Sequence, residues 1–484
     1  LGVPGPPTRA AVAFGDVTEA ERRFEPFVHL VDVTDTAALI GWGGFWLDRD
    51  EHGGCRVVDD GELDHPERQR CGTIGAQSPS YGPAVVEALD HGGRVVARAA
   101  TDDRNSIWVE GLEPDTEYRY RIVVDGRPWA DGPRWDWAPE DSDDGGPSRP
   151  RPRRYDMRLR THTRENVEIP VTFVAVGDYG VGIASGEAGR RQRQVARTME
   201  WLAATRPVRL IVSLGDNIYH GPAGKEKATG DEDDDWYFTF YEPYRYLIDH
   251  LPVYPTVGNH DGPDSESSDD RAQLEDNFHL QTRFRRRVEE GRASLEPGLF
   301  YRIQIGALLE LVCVDTTWGA SVGSHYFDDD DHRRWLEDAL PTAEAGTGRR
   351  WPIPFCHHPP YSAGPDHQTM PDQVEQLLPL YRRAGVPLLL SGHEHNFQHG
   401  RVGGLDYVVA GAGGKLDPEV PERWEEAGTV AWAQAPHCLL VEVDAERVVV
   451  APYGVAEAGH APQPLQCVTP DGAPVDGRVV IERP

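Results

Sequence analysis

The chain has 484 residues, 39% of them hydrophobic and 9% aromatic; this is too long for one compact core, and the composition excludes wholesale disorder. No run approaches the roughly 18 consecutive apolar residues of a membrane-spanning helix. The formal net charge of -31 argues against binding nucleic acid or an anionic membrane surface, because phosphate contacts need a basic patch.

The opening residues, "LGVPGPPTRAAVAFGDV", show neither a charged n-region nor an apolar h-region, so no signal peptide is visible in them. The first part of the chain reads as β. Segments 37–47, 94–101, 106–112 and 117–126 are rich in β-branched and aromatic residues, with turn residues between them. In "GLEPDTEYRYRI", Leu112, Pro114, Thr116 and Tyr118 stand two apart and lead into an alternating strand. This stretch resembles the segment before a late strand of fibronectin type III domains, where a Tyr closes a corner between strands. An unrelated hairpin is the alternative reading. A polar, Pro- and Gly-rich excursion fills 140–156, and "MRLRT" (157–161) reads as a last strand. The expected division is therefore 1–163 as an all-β, immunoglobulin- or fibronectin-like sandwich, 164–460 as a second domain, and 461–484 as a tail.

Six cysteines include no C-x-x-C pair, which excludes a zinc ribbon or a thioredoxin-type site. Cys313 and Cys356 lie in apolar runs and read as buried thiols. Cys55 with Cys71, and Cys438 with Cys467, are pairs able to bridge in an oxidising compartment. The acidic runs "DEDDDW" (231–236), "DSESSDD" (264–270) and "DDDD" (328–331) read as solvated loops rather than cation sites. Only Lys225, Lys227 and Lys415 are lysines, and every other basic residue is Arg.

From residue 171 the pattern changes to short apolar strands alternating with helical segments, which implies an α/β sandwich. Strands are expected within 171–180 and 208–216 and at 308–316, 351–358, 386–393 and 405–414, helices at 190–205, 332–341 and 373–385, and a closing hairpin at 437–454. Several strands end in residues that hold metals. "FVAVGDYG" ends in Asp178, and "IVSLGDNIY" in Asp216 with Tyr219 beyond it. "VYPTVGNHD" ends in Asn259, His260 and Asp261, "PFCHHPPYS" in His357 and His358, and "LLLSGHEHNFQ" in His393 and His395. Taken singly, each is ordinary turn chemistry or a satisfied histidine pair. In open α/β sheets, however, ligands bind beyond the carboxyl ends of the strands, so five such endings point to one crevice.

The ordered set GD-Y-G, GD-x-x-Y, G-N-H-D, H-x-P-x-Y-S and G-H-x-H resembles the metallophosphoesterases, in particular their purple acid phosphatase branch. The resemblance covers most of residues 171–414. It implies a four-layer α/β/β/α sandwich and a site for two metal ions, Fe(III) with Fe(II), Zn(II) or Mn(II). One ion would take Asp178, Tyr219 and His395, the other Asn259, His357 and His393, with Asp216 bridging. Gly180 stands where ordinary family members carry the His of a D-x-H motif, and Tyr219 is the replacement ligand. His260 matches an outer histidine that contacts the phosphate or protonates the leaving group. His367 is the candidate for a second such group, one residue later than the family spacing, with Asp366 at the expected position. His358 reads either as packing beside the metal site or as part of it. The implied activity is hydrolysis of a small-molecule phosphate monoester by a metal-bound hydroxide. A phosphodiesterase or nucleotide pyrophosphatase is the alternative on the same site, and a non-catalytic binding protein the remote one. The resemblance favours a secreted or extracytoplasmic location and leaves the oligomeric state open.

Overall fold

The computed structural model describes residues 23–49, 55–58, 81–134, 153–183, 186–219, 236–261, 268–296, 298–319, 323–342, 350–417, 419–456 and 461–483. The chain divides into two compact units. One comprises Leu1–His162 with Phe240–Pro252 and Glu275–Arg283, and the other Thr163–Thr239, Val253–Leu274 and Phe284–Pro484. The division is therefore not contiguous, in contrast to the single boundary expected near residue 164.

The first unit is built on two antiparallel sheets. Strands Arg23–Val33, Ala37–Arg49, Cys55–Val57 and Ser106–Glu110 form one; Val95–Thr101, Ala84–Leu89, Glu117–Val124, Arg127–Pro128 and Arg158–Arg160 form the other. Alternation along Glu117–Val124 buries Tyr118, Tyr120, Ile122 and Val124, and these share one core with Val28, Leu30, Ile40 and Trp42 of the first sheet. The Glu113 amide donates to the Tyr118 hydroxyl at 2.9 Å. Helix Glu242–Ile248 adds Arg245, buried and 3.3 Å from the equally buried Glu25. The hydroxyl of Tyr120 donates to the Asp249 carbonyl at 2.5 Å.

The second unit contains two mixed sheets. The six-stranded sheet runs Val253–Pro255, Val208–Ser213, Val171–Val176, His437–Val443, Arg447–Gly454, Val479–Glu482. The ten-stranded sheet has Leu309–Cys313, Trp351–Phe355, Leu388–Ser391 and Leu405–Ala410 at its centre. Every side chain of Val171–Val176 is buried, because this strand is paired on both edges and covered on both faces; hence its unbroken apolar run. Helix Gly186–Thr205 packs on the six-stranded sheet, and helices Asp330–Ala339, Pro371–Gln376 and Leu378–Arg383 share a core with the ten-stranded one. The result is a mixed α/β fold with helices packed on each sheet.

Several expectations are corrected. The helix expected over 373–385 is two helices, because Pro379 has no N–H to continue the ladder. Residues 461–484 are not a tail: Gln466–Val468, Pro474–Asp476 and Val479–Glu482 extend both sheets. Cys438 and Cys467 are free buried thiols rather than a bridge, as are Cys313 and Cys356. Cys71, which would pair with Cys55, lies outside the described residues, as do residues 231–235 and 264–267 of the acidic runs. The run 328–331 caps a helix: Asp329 accepts from the amides of Asp331 and His332 at the start of Asp330–Ala339.

Candidate metal centre

The two Gly-Asp turns are tied to each other. After strand Val171–Val176, the Asp178 amide donates to the Gly215 carbonyl at 3.0 Å, and the Gly180 amide to the Asp216 carbonyl at 3.1 Å. The Tyr219 amide returns to the Gly180 carbonyl at 2.8 Å. A side chain at Gly180 would collide with the backbone of Asn217 and Ile218, so no His can stand two residues after Asp178. Gly215 has φ +91°, and a Cβ there would lie 2.5 Å from His357 Nδ1. That residue turns the chain and leaves room for the His357 side chain. Asp178, Asp216 and His393 themselves have φ of 57°, 50° and 73°. Left-handed backbone at a non-glycine costs about 1–3 kcal/mol and clusters at functional sites.

The side chains form two donor groups. In the first, His357 Nε2 lies 2.9 Å from Asn259 Oδ1, 3.1 Å from His393 Nδ1 and 3.4 Å from Asp216 Oδ1. In the second, the Tyr219 hydroxyl lies 3.2 Å from Asp178 Oδ1 and 3.4 Å from His395 Nε2, and His395 Nε2 is 3.6 Å from Asp178 Oδ1. Asp216 faces both: it also stands with Asp178 and His395, ligand atoms all within 4.8 Å. Every residue expected to hold a metal is thus brought to one place, at the carboxyl ends of strands from both sheets. The Tyr219 ring packs on Val181 and Ala188, so it serves the core while its hydroxyl faces the donors.

Supporting contacts orient these groups. Asp417, which sequence reasoning passed over, lies 2.9 Å from His395 Nδ1 and accepts the His395 amide at 3.0 Å. Such a carboxylate fixes the tautomer of a metal-binding histidine. The only signal for it in the chain is its place in the loop after strand Leu405–Ala410. The Leu214 carbonyl does the same for His357 Nδ1 at 2.8 Å. Asp261 accepts from the amides of Asn217, Ile218 and Gly258 and so joins two of the turns.

His260 places its ring 4.5 Å from that of Tyr219, centroid to centroid. The His367 ring lies 3.7 Å from that of His393, tilted by 44°, and its Nδ1 lies 3.3 Å from Oε2 of the buried Glu394, another residue the sequence did not flag. Asp366 instead turns its carboxyl to Asp417. His358 is buried, with Nδ1 3.0 Å from Thr316 Oγ1 and its ring 4.3 Å from His393; it also joins His357 and His393 as a group able to hold a metal.

The electrostatics fit a cation. Burial, then Asp216, pushes the Asp178 carboxyl well above its usual range. Burial also works against the Asp216 carboxylate, yet His357 and His260 outweigh it and hold the group at about 2. Burial and both carboxylates raise the Tyr219 phenol. Burial and neighbouring imidazoles push His393 and His358 well below the usual value, leaving the neutral form that binds metals. Crowded buried anionic donors beside neutral imidazoles are stabilised by positive charge at their centre.

The fold of residues 171–397 and the donor set it carries are of the metallophosphoesterase kind. Residues 171–397 match the calcineurin-like phosphoesterase family and form a domain of that family, homologous to purple acid phosphatases. The chain is 28% identical over 260 residues to tartrate-resistant acid phosphatase type 5 of Mus musculus, spanning 51% of this chain and 74% of that protein. It is 26% identical over 264 residues to purple acid phosphatase 17 of Arabidopsis thaliana, 51% of this chain and 69% of the relative. Among solved structures, purple acid phosphatase PPD1 from yellow lupin seeds (Lupinus luteus) aligns with TM-score 0.56 at 14% identity, covering 95% of this chain and 74% of that one. The structure of PhoD aligns with TM-score 0.60 at 12% identity, covering 94% and 91%. These relatives imply two metal ions.

Proposed function

We propose that the protein hydrolyses phosphate monoesters at a two-metal site of the purple acid phosphatase kind. The observation that carries this reading is Asp216, shared between a donor group of carboxylate, phenol and imidazole and one of amide and imidazoles. The first set is hard and anionic and suits Fe(III); the second suits Fe(II), Zn(II) or Mn(II). When bound, such a pair activates water and neutralises charge on the transferring phosphoryl group.

The chain's own residues supply the rest. Asp178, Tyr219 and His395 would hold one ion, Asn259, His357 and His393 the other, and Asp417 orients His395. His260 reaches the crevice beside Tyr219, where it would hold or pass a proton at the leaving oxygen. His367 rather than Asp366 lies over the donors and would contact the ester. A secreted or extracytoplasmic location belongs to the same reading, and cell fractionation checks it.

The experiment is a panel of mono- and diester substrates given to protein reconstituted with iron and zinc, with metal content measured. Preference for monoesters supports the reading. Preference for diesters or dinucleotide pyrophosphates replaces it with the alternative chemistry. No turnover of any ester by fully loaded protein overturns it.

A further inference from the structure

Lys415 places its ammonium nitrogen 4.7 Å from the centroid of the Tyr219 ring. It is one of three lysines among 49 basic residues of the chain. Its position is set by the backbone. The amides of Gly414 and Lys415 both donate to the Asp178 carbonyl, at 3.0 and 3.2 Å, and Arg191 Nε donates to the Gly414 carbonyl at 2.9 Å. The loop after strand Leu405–Ala410 is thereby fastened to the turn that carries Asp178, and Lys415 is delivered over the phenol ring.

A cation within about 6 Å of an aromatic face is drawn to the π electrons by roughly 0.5–2 kcal/mol, more as the contact loses water. The ring of Tyr219 is almost wholly buried, at 1% exposure, and Lys415 is half-buried, so solvent screens the contact poorly. The same charge acts more strongly on a phenolate, whose negative charge is shared between oxygen and ring. It lowers the energy of the electrons that a phenolate would donate to a bound ferric ion.

We propose that Lys415 is a positioning residue acting through Tyr219: its charge weakens phenolate donation and makes the ferric state easier to reduce. This rests on the reading of Tyr219 as a ligand given above. Lys415 would then help to set the oxidation state in which the protein rests.

The test compares full-length wild type, Lys415→Met, Lys415→Gln and Lys415→Arg, each reconstituted with iron and matched in metal content. The readouts are the visible phenolate-to-iron band and the midpoint of a redox titration. Loss of the charge should move the band to longer wavelength by on the order of 10 nm, the size that a cation–π contact corresponds to, and lower the midpoint. Lys415→Arg should restore both. A band present in wild type and unmoved in Lys415→Met and Lys415→Gln overturns the role of Lys415 alone. An Arg variant shifted as far as the Met variant does the same, because shape and not charge would be responsible. Bound Fe(III) with no band in wild type overturns the ligand role of Tyr219, and the role of Lys415 with it.

Discussion

The hydroxyl of Tyr219 donates to Asp178 Oδ1 at 3.2 Å across 41 residues of chain. The phenol and the carboxylate end neighbouring parallel strands, and the bonds between their turns hold them in register.

Tyr219→Phe therefore separates the two roles of the residue. The ring keeps its packing on Val181 and Ala188, so thermal stability of the metal-free protein should hold within about 1 kcal/mol. Iron-reconstituted wild type should be coloured, and the variant colourless at equal iron content. Part of the activity should survive, since on the proposed reading the phenolate would tune a metal and would not attack. Absorption spectra beside metal analysis check this.

Asn259→Ala or His393→Ala should lose one ion per chain and lower turnover by more than the roughly 10–100-fold typical of losing an orienting partner. Asp417→Ala removes only such a partner, so its metal affinity should fall by about 10–100-fold with both ions recoverable at high concentration. Metal titrations of the three variants rank them. Equal behaviour of Asp417→Ala and His393→Ala would contradict the assignment.

His260→Ala should keep both ions and lose roughly 10²–10⁴ in turnover, the usual span for a general acid or base. The loss should shrink for esters with good leaving groups, such as a nitrophenyl ester, which need no proton. The same loss on every ester would leave His260 only a phosphate contact. Rates across a leaving-group series decide this.

Acid stability should depend on the buried pair His29 and His279 of the first unit, whose rings lie 6.1 Å apart. Burial and then Arg283 push His279 down to about 4, and burial, His279 and Arg283 push His29 well below its usual value. The unfolded chain then takes up protons first as pH falls below about 6.5. Stability present above that pH is lost toward pH 4, by up to roughly 1.4 kcal/mol per unit for each histidine. His279→Asn, which tolerates the left-handed backbone at φ 53°, should flatten the slope. Melting temperatures of both proteins from pH 7 to 4.5 measure the difference.

Much of the centre was legible along the chain. Each donor follows an apolar run that stops at a turn, and in open α/β sheets the carboxyl ends of such strands are where ligands bind. Asp178, Asp216, Asn259 and His393 are therefore visible as interruptions of local pattern. Gly180 could be read as a missing histidine; that nothing larger fits there emerges only from the Asn217 backbone folded against it. The remaining features depend on residues distant in sequence whose local patterns carry no mark of one another. Asp417 and Lys415 sit in a loop that looks like any other until two sheets bring it to the centre, and Glu394, although between His393 and His395, shows its contact with His367 only in the fold. Segments 240–252 and 275–283 join the first unit through buried pairs such as Arg245 with Glu25, 220 positions away. Hydrophobic period and turn chemistry report on neighbours within a few residues, so they locate strands and their ends. Which ends meet, and which charge comes to rest over which ring, is settled by packing between elements.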